Sequence, residues 1–263
     1  MRYTQAEIKS LLFEALQFYH QKDFIKDDPI QIPHAYQERQ DIEISAFFAA
    51  VFAWGKRSMI IDKSKTFLGL MGQSPYDFVV NHRPEDLKPF ENFKHRTFKP
   101  EDAMYMLRFL QQFYQKEDSL ETAFSQHLSP KAPTVEEALI GFHSDFFSLP
   151  DAPLRTQKHL PTPAKNAACK RINMFLRWMV RKDDKKIDFG IWHKIKMSQL
   201  VCPIDVHVFR VATLLGITDK KTLNWNTALE INDYLKKLVP EDPVLLDYAL
   251  FGLGVMPEKI PTQ

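Results

Sequence analysis

Residues 200–216 read LVCPIDVHVFRVATLLG, an apolar run that stops at a proline, then an aspartate, then a second apolar run that ends at a glycine. The spacing predicts a compact helix over Val206–Leu215, with Asp205 directly before its first turn. A carboxylate in that position accepts hydrogen bonds from the exposed N–H groups of the turn, and the helix dipole favours its ionised form. Asp205 is therefore either a helix cap alone or a charge that is also positioned for chemistry.

Helical signals of the same kind occur along the whole chain. The helix predicted from Asp41 to Trp54 is apolar around nearly its whole circumference, which is typical of the centre of a lobe. The pair Gly252 and Gly254 is interpreted as the C-terminal stop of the last helix. Other predicted helices begin at Thr4 and cover about residues 58–71, 100–114, 119–127, 134–147, 166–181, 191–200, 227–238 and 243–250.

The sequence therefore predicts an all-α protein with two lobes. We expect the lobes to cover residues 41–147 and 160–263, with residues 1–40 packing across them. The segment Ser148–Pro163 is rich in proline and has no period, which indicates a long surface loop or a lobe boundary. Only 8 of the 263 residues are glycine, which argues against a Gly-rich nucleotide-binding α/β fold.

Composition limits the classes of partner and compartment. A net charge of +2 permits a nucleic-acid partner without requiring one. The two cysteines, Cys169 and Cys202, exclude a four-cysteine iron–sulfur cluster and a disulfide framework, so we expect a reducing, cytoplasmic setting. Met1–Lys9 is polar and no stretch is long and apolar enough to cross a bilayer, so we expect no signal peptide and no membrane partner. We also expect a monomer without a metal or another cofactor.

The segment 165–181 has two different faces when it is projected as a helix. The apolar face consists of Ile172, Phe175, Leu176, Met179 and Val180. The opposite face carries Lys170, Met174, Arg177 and Arg181, with Asn173 to one side. This polar face is either a solvated surface or a lysine nucleophile beside arginines that bind phosphates. A lysine attacks a sugar carbon as a free amine, and positive charge on Arg171 and Arg177 favours that form.

Two segments resemble the helix–hairpin–helix DNA glycosylase superfamily: the helix that carries Lys170, and Cys202–Val211. The endonuclease III branch of that superfamily has the sequence Val-Asp-Thr-His-apolar-Arg-Val at its catalytic aspartate. Asp205, His207 and Arg210 match this pattern, with a valine in place of the threonine. The whole chain is more closely similar to an uncharacterised bacterial family, of the type called domain of unknown function 2400, which is distantly related to these glycosylases. This closer resemblance is carried by His95–Phe98, Ala168–Arg181 and Asp242–Gly254.

The resemblance implies DNA base excision by a single glycosylase-like unit over residues 1–263. In the superfamily, a damaged base is flipped into a pocket between two helical lobes. The resemblance gives Asp205 the role of the aspartate that stabilises positive charge on the deoxyribose. It gives Lys170 the role of the lysine that displaces the base and forms a Schiff base, which adds a β-lyase step. The separation of these two residues is near that of archaeal 8-oxoguanine glycosylases, which implies an oxidised purine as the substrate.

The superfamily's phosphate-binding hairpin has a different sequence here. That hairpin reads Leu-Pro-Gly-Val-Gly, whereas Leu160–Ala164 contains no glycine. Counting from Leu160 places the nucleophile at Lys165, while the helix sequence places it at Lys170. We prefer Lys170 and keep Lys165 as a candidate. The residues expected at the DNA are Lys165, Arg171, Asn173, Arg177, His207, Arg210, His95 and Arg96.

Each candidate also has a structural alternative. His207 is either a phosphate contact or a core histidine, and the pair His95 and Arg96 belongs either to a phosphate-binding loop or to a solvated one. Three aromatic residues either stack on a flipped base or belong to the core: Trp54, Trp178 and Phe251. For the protein as a whole, the alternatives are a non-catalytic DNA-binding protein of the same fold and a helical protein–protein scaffold.

Overall fold

The computed structural model describes residues 3–255. These residues form helices and loops, and the one strand-like pairing among them is an isolated bridge between His95 and Phe98. The all-α prediction is therefore confirmed. No helix within the described range is long and apolar enough to cross a membrane.

Most helices lie where the capping and spacing patterns predict them. Within residues 3–255 the α-helices are α1 (Gln5–Tyr19), α2 (Arg39–Phe52), α3 (Arg57–Gly69), α4 (Pro75–Asn81), α5 (Pro100–Tyr114), α6 (Glu121–Ser125), α7 (Glu136–Phe146), α8 (Lys170–Val180), α9 (Val206–Leu214), α10 (Trp225–Leu238) and α11 (Asp247–Val255). Short 3₁₀-helices cover Lys22–Asp27, Pro29–Gln31, Pro33–Ala35, Pro84–Asn92, Leu154–His159, Pro163–Lys165, Met197–Gln199 and Pro243–Leu246.

The predicted helix over 191–200 is wrong, because only Met197–Gln199 is helical there. The chain before it hydrogen-bonds to the end of α8 instead. The N–H of Phe189 donates to the carbonyl of Trp178, and the N–H of Trp192 donates to the carbonyl of Met179. Carbonyls in the last turn of a helix have no partner within the helix, so this segment supplies one.

The segment 148–163 is also more ordered than the predicted surface loop. It contains the 3₁₀-helix Leu154–His159, and the side chains of Thr156 and His159 are buried. Thr156 donates a hydrogen bond to the buried carboxylate of Asp102, at 2.7 Å, and His159 Nε2 lies 3.3 Å from the same carboxylate. These polar contacts with Asp102 hold the segment in place.

The described residues group into two compact units. The first unit comprises residues 3–24, Pro130–Glu136 and residues 162–255, and the second comprises Ile25–Ser129 and Glu137–Pro161. This grouping follows packing, so it places the short segment Pro130–Glu136 with the C-terminal part of the chain. A prediction that divides the sequence linearly cannot express such an arrangement.

In the second unit, α2 is the central helix. Its residues from Asp41 to Phe52 are all buried, and the rings of Phe48 and Phe52 pack against Phe67 of α3. The helix begins at Arg39, so Asp41 is not its cap. Asp41 instead accepts hydrogen bonds from Ser74 Oγ and the N–H of Tyr76, and thereby ties α2 to the start of α4.

In the first unit, α11 packs between α1 and α9. Gly252 and Gly254 lie inside α11, so their interpretation as a helix stop is wrong. A Cβ atom at Gly252 would lie 2.2 Å from ring atoms of Tyr19, and one at Gly254 would lie 2.9 Å from Cβ of His207. The two glycines therefore let α1 and α9 approach α11 closely.

The close packing of α1 against Gly252 predicts the effect of adding one methyl group at this position. We expect Gly252→Ala to lower the free energy of unfolding by about 1–3 kcal/mol, because Tyr19 must move to make room. Gly69→Ala is the matched control, since Gly69 is also helical and a Cβ atom added there would meet no other part of the protein within 4 Å. Urea denaturation followed by circular dichroism measures both variants. An equal loss of stability in the two variants would contradict the packing role of Gly252.

Candidate functional site

Lys170 and Asp205 meet at the starts of two helices. Lys170 is the first residue of α8, and Asp205 is the N-cap of α9. Asp205 Oδ1 accepts hydrogen bonds from the N–H groups of His207, at 2.8 Å, and Val208, at 3.0 Å. Its other oxygen, Oδ2, lies 4.0 Å from Lys170 Nζ. Capping and ion pairing thus use different oxygens of one carboxylate, so the two roles proposed for Asp205 are compatible.

Both side chains of this pair are partly open to solvent. The Lys170 side chain is 29% exposed and that of Asp205 is 21% exposed. A small molecule or an extruded nucleotide can reach groups with this exposure, whereas a fully buried pair would be closed to it. The geometry places an amine and an ionisable carboxylate side by side at an accessible surface.

The chain that leads into Lys170 is held by a turn without glycine. Thr162 Oγ1 accepts from the N–H of Ala164, and Asn166 and Cys169 both adopt left-handed backbone angles, with φ of 53° and 52°. The carbonyl of Asn166 accepts from the N–H of Trp225 at the start of α10. The left-handed Asn166 and its anchor on α10 shape this turn, which has no glycine of the kind a phosphate-binding hairpin uses.

Beyond Lys170, the cationic face of α8 is buried, contrary to its interpretation as a surface that meets phosphates. Arg177 is 4% exposed and donates hydrogen bonds to Asp247 and Asp188, and its guanidinium lies over the ring of Tyr248. Arg181 is 3% exposed and pairs with Asp188 and Asp242. The prediction that Arg177 binds DNA is therefore wrong, because two carboxylates of the protein already neutralise it in the interior.

Asp247, at the start of α11, is the residue of this site that sequence reasoning missed. It is 4% exposed, accepts from Arg177 and lies 3.6 Å from the Cys202 thiol, which donates to it. Burial raises the pKa of Asp247 to about 6, although Arg177 opposes the shift; the charge of Asp205 raises the pKa further and that of Lys170 lowers it. The available sequence signal was a single aspartate within the apolar run PVLLDYALFGLG.

The remaining candidates near Lys170 differ in how accessible they are. Asn173 is 1% exposed, and its amide donates weakly to the carbonyl of Ala168, at 3.4 Å, so it is not placed to meet DNA directly. Arg171 is half-buried, and burial lowers the pKa of its guanidinium to about 10. Lys165 is exposed in the turn before α8.

Two of the predicted DNA-binding residues, both in α9, lie at the surface. His207 is exposed, so its interpretation as a core histidine is wrong. Arg210 is also exposed and donates to the carbonyl of Gly254, at 2.6 Å. This hydrogen bond holds the Arg210 side chain against the end of α11 and leaves the residue at the protein surface.

His95 and Arg96, the predicted phosphate contacts of the second unit, differ in burial. His95 is 1% exposed, and its Nε2 lies 3.0 Å from the carbonyl of Phe52, so it is a core histidine and not a phosphate contact. Arg96 is exposed in a left-handed conformation, with φ of 55°, and its guanidinium lies 4.9 Å from the centre of the Trp54 ring.

Trp178 of the first unit is fully buried, so it belongs to the core and cannot stack on a base.

Among residues 3–255, one group has donor atoms at metal-binding spacing. It consists of His20, Asp183 and Asp184, which each place one such atom within 4.8 Å of the others. Asp183 also accepts hydrogen bonds from the N–H groups of Lys185 and Ile187. Burial acts to raise the pKa of Asp183, but His20, the N–H of Lys185 and the charge of Arg181 hold it well below its usual range. The carboxylate thus organises the loop after α8.

The comparisons with known proteins identify a family and nothing beyond it. No curated protein and no solved structure gives a match to this chain. A profile of the family described as "Protein of unknown function (DUF2400)" matches residues 28–256. Because this match covers most of the 263 residues, the chain belongs to the DUF2400 family.

Proposed function

We propose that this protein is a DNA glycosylase that excises damaged bases and cleaves the strand through a lysine Schiff base. The observation that carries the proposal is the approach of Lys170 Nζ to Asp205 Oδ2, at 4.0 Å, on the first residue of one helix and the cap of another. An amine nucleophile beside a carboxylate is the pair that this chemistry requires. The resemblance to the helix–hairpin–helix glycosylases adds the substrate class, an oxidised purine in DNA.

The proposed reaction begins with attack by Lys170 on the sugar. The free amine adds to C1′ as the bond from C1′ to the base breaks, and the base leaves with the bonding electrons and takes up the proton that the attacking nitrogen loses. The carboxylate of Asp205 stabilises the positive charge that develops on the sugar. The C1′–O4′ bond then breaks and O4′ takes up a proton from water, which gives a protonated imine between Nζ and C1′. Water removes a proton from C2′, and the electrons of that C–H bond form a C2′–C3′ double bond as the 3′ phosphate leaves, which breaks the strand.

Exposed basic residues of the first unit supply the DNA contacts in this proposal. Lys165, Arg210 and His207 lie at its surface. Phosphate contacts of this kind give affinity and orientation but carry no sequence information. His95, Asn173 and Arg177 are left out of the proposed interface because they are buried.

Excision on a panel of duplexes, each with one labelled lesion, tests this function. We expect the wild-type protein to release at least one oxidised purine, and Asp205→Asn to reduce the rate by about 10²-fold or more. Asparagine is as good a helix cap as aspartate, so this variant removes the charge and keeps α9 capped.

Two other outcomes would replace the proposal. Salt-sensitive DNA binding without excision, unchanged in Asp205→Asn, would indicate a non-catalytic DNA-binding protein. The absence of DNA affinity at low salt would indicate a helical scaffold for protein partners.

A further inference from the structure

A histidine and two aspartates of the first unit bring three metal-binding atoms together just beyond the end of α8. His20 is the C-cap of α1, and Asp183 and Asp184 lie three and four positions after the last residue of α8. One nitrogen or oxygen atom of each residue lies within 4.8 Å of the others. Asp184 is exposed, so its carboxylate can turn toward the other two residues without disturbing the core.

The contact between His20 and Asp183 has the separation of two ligands of one metal ion. His20 is 6% exposed, and its ring packs against that of Tyr248, with 4.6 Å between the ring centres. The Nε2 atom is buried 3.0 Å from Asp183 Oδ1, yet it has no hydrogen-bond partner among the described residues. Buried polar atoms normally have a partner. Neighbouring ligand atoms that each lie about 2.1 Å from one ion are about 3 Å apart, so a cation bound to both atoms fits this separation.

Asp183 is held in an orientation that leaves its Oδ1 atom able to accept a cation. Oδ2 accepts from the N–H of Ile187, at 3.1 Å, and lies 3.4 Å from Arg181 Nη1. Within residues 3–255, the one N–H group that donates to Oδ1 is that of Lys185, at 2.9 Å. A carboxylate oxygen has two lone pairs, so Oδ1 keeps one of them for a cation on the side of His20.

The charges in the interior beside this group also favour a cation. Two guanidinium groups, those of Arg177 and Arg181, pair there with four carboxylates: Asp183, Asp188, Asp242 and Asp247. Negative charge is therefore in excess, and buried charges are normally paired or bound to a metal. Three lysines follow or flank the two aspartates of the loop, but all three are exposed and water screens their charge: Lys182, Lys185 and Lys186.

We propose that His20, Asp183 and Asp184 bind one divalent transition-metal ion, for which Zn²⁺ is the best match. Zn²⁺ accepts an imidazole nitrogen together with carboxylate oxygens, whereas Mg²⁺ and Ca²⁺ prefer oxygen ligands alone. Water completes the coordination on the exposed side, next to Asp184. The ion joins the end of α1 to the loop that follows α8.

The role of this ion is structural. Lys170 is the first residue of α8, and the metal ligands lie beyond its last residue, so the helix places about 15 Å between them. The ion is therefore too far from Lys170 to take part in the excision proposed above. The metal site does not depend on that function and is tested without DNA.

Isothermal titration calorimetry tests the site on the full chain after metals are removed with EDTA. With ZnCl₂ as the probe, we expect the wild-type protein to bind Zn²⁺ at this site at least about 10-fold more tightly than Mg²⁺. Asp184→Asn should weaken Zn²⁺ binding at least about 10-fold, since loss of a group that only supports a ligand already costs about 10-fold to 100-fold. Asp233→Asn is the matched control, because Asp233 is also an exposed aspartate of the first unit, and we expect it to bind as the wild-type protein does.

A second variant tests the histidine ligand. His20→Gln removes the imidazole, and we expect it to weaken Zn²⁺ binding at least about 10-fold as well. Because His20 is buried, this variant can fail to fold. In that event the comparison of Asp184→Asn with Asp233→Asn decides the question, since both of these residues are exposed.

Four results would overturn the inference. They are the absence of Zn²⁺ binding by the wild-type protein, equal affinities in the wild-type protein and Asp184→Asn, unchanged binding in a folded His20→Gln protein, and Mg²⁺ binding as tight as that of Zn²⁺. The second and third results would place the ion at other residues. Zn²⁺ binding that depends on His20 and Asp184, together with no excision of any lesion, would overturn the proposed function alone.

Discussion

Lys170→Gln should abolish the complex that sodium borohydride traps between the protein and DNA with an abasic site. Borohydride adds hydride to the imine carbon and converts the Schiff base into a stable amine link, so trapping requires the lysine nitrogen. Glutamine has no nucleophilic amine, and we expect a loss of at least about 10²-fold in the yield of complex. Denaturing gel electrophoresis of labelled DNA measures this yield.

The Lys170→Gln protein should still fold, which makes the result interpretable. The Lys170 side chain is 29% exposed, and pairs of that kind contribute about 1 kcal/mol or less to stability. Lys165→Gln is the control, because Lys165 is exposed and lies in the turn that precedes α8. If trapping survives in Lys170→Gln and disappears in Lys165→Gln, then Lys165 and not Lys170 is the nucleophile.

Arg177→Met should cause the largest loss of stability. Methionine fills part of the volume but leaves Asp247 in the interior without its cation and removes one of the two arginines that pair with Asp188. Removal of one partner from a buried ion pair destabilises proteins by about 3–5 kcal/mol. Urea denaturation gives the free energy of unfolding, and Lys220→Met is the control, since the Lys220 side chain is 57% exposed and forms only a surface pair with Glu230.

The loss of stability in Arg177→Met should also depend on pH. Protonation of Asp247 stabilises the folded state, because burial raises its pKa from 3.8 to about 6, and this stabilisation is lost as the pH rises from about 4 to about 6. Arg177 opposes that rise in pKa. The variant should therefore lose stability with pH more steeply than the wild-type protein, and over a window that extends further above pH 6. A pH-independent difference would contradict the role assigned to Arg177.

Local sequence patterns predicted the elements of the site but not all of its surroundings. The helix that carries Lys170 follows from its apolar period, and the cap at Asp205 follows from the proline and aspartate before an apolar run. Both signals act within a few residues. The sequence predicts a surface position for Arg177, because a charged face opposite an apolar stripe is usually solvated. The structure buries it through Asp247, which is 70 positions away in the sequence.

Sequence patterns depend on neighbouring residues only, and this also explains the errors at Gly252 and His95. A glycine pair after an apolar run predicts a helix end, and only the ring of Tyr19 explains why Gly252 lies inside a helix. A histidine next to an arginine in a loop predicts a polar surface, and only the carbonyl of Phe52 explains the burial of His95. The closeness of Lys170 and Asp205 was expected from resemblance alone, since no local pattern joins residues on two separate helices.

Identification of the lysine that is linked to DNA tests the central claim most directly. The wild-type protein is trapped with borohydride on DNA that contains an abasic site, the complex is digested with protease and nuclease, and the modified peptide is sequenced by mass spectrometry. We predict that the sugar remnant is on Lys170. A remnant on any other lysine, or no trapped complex with DNA that the protein binds, would contradict the account.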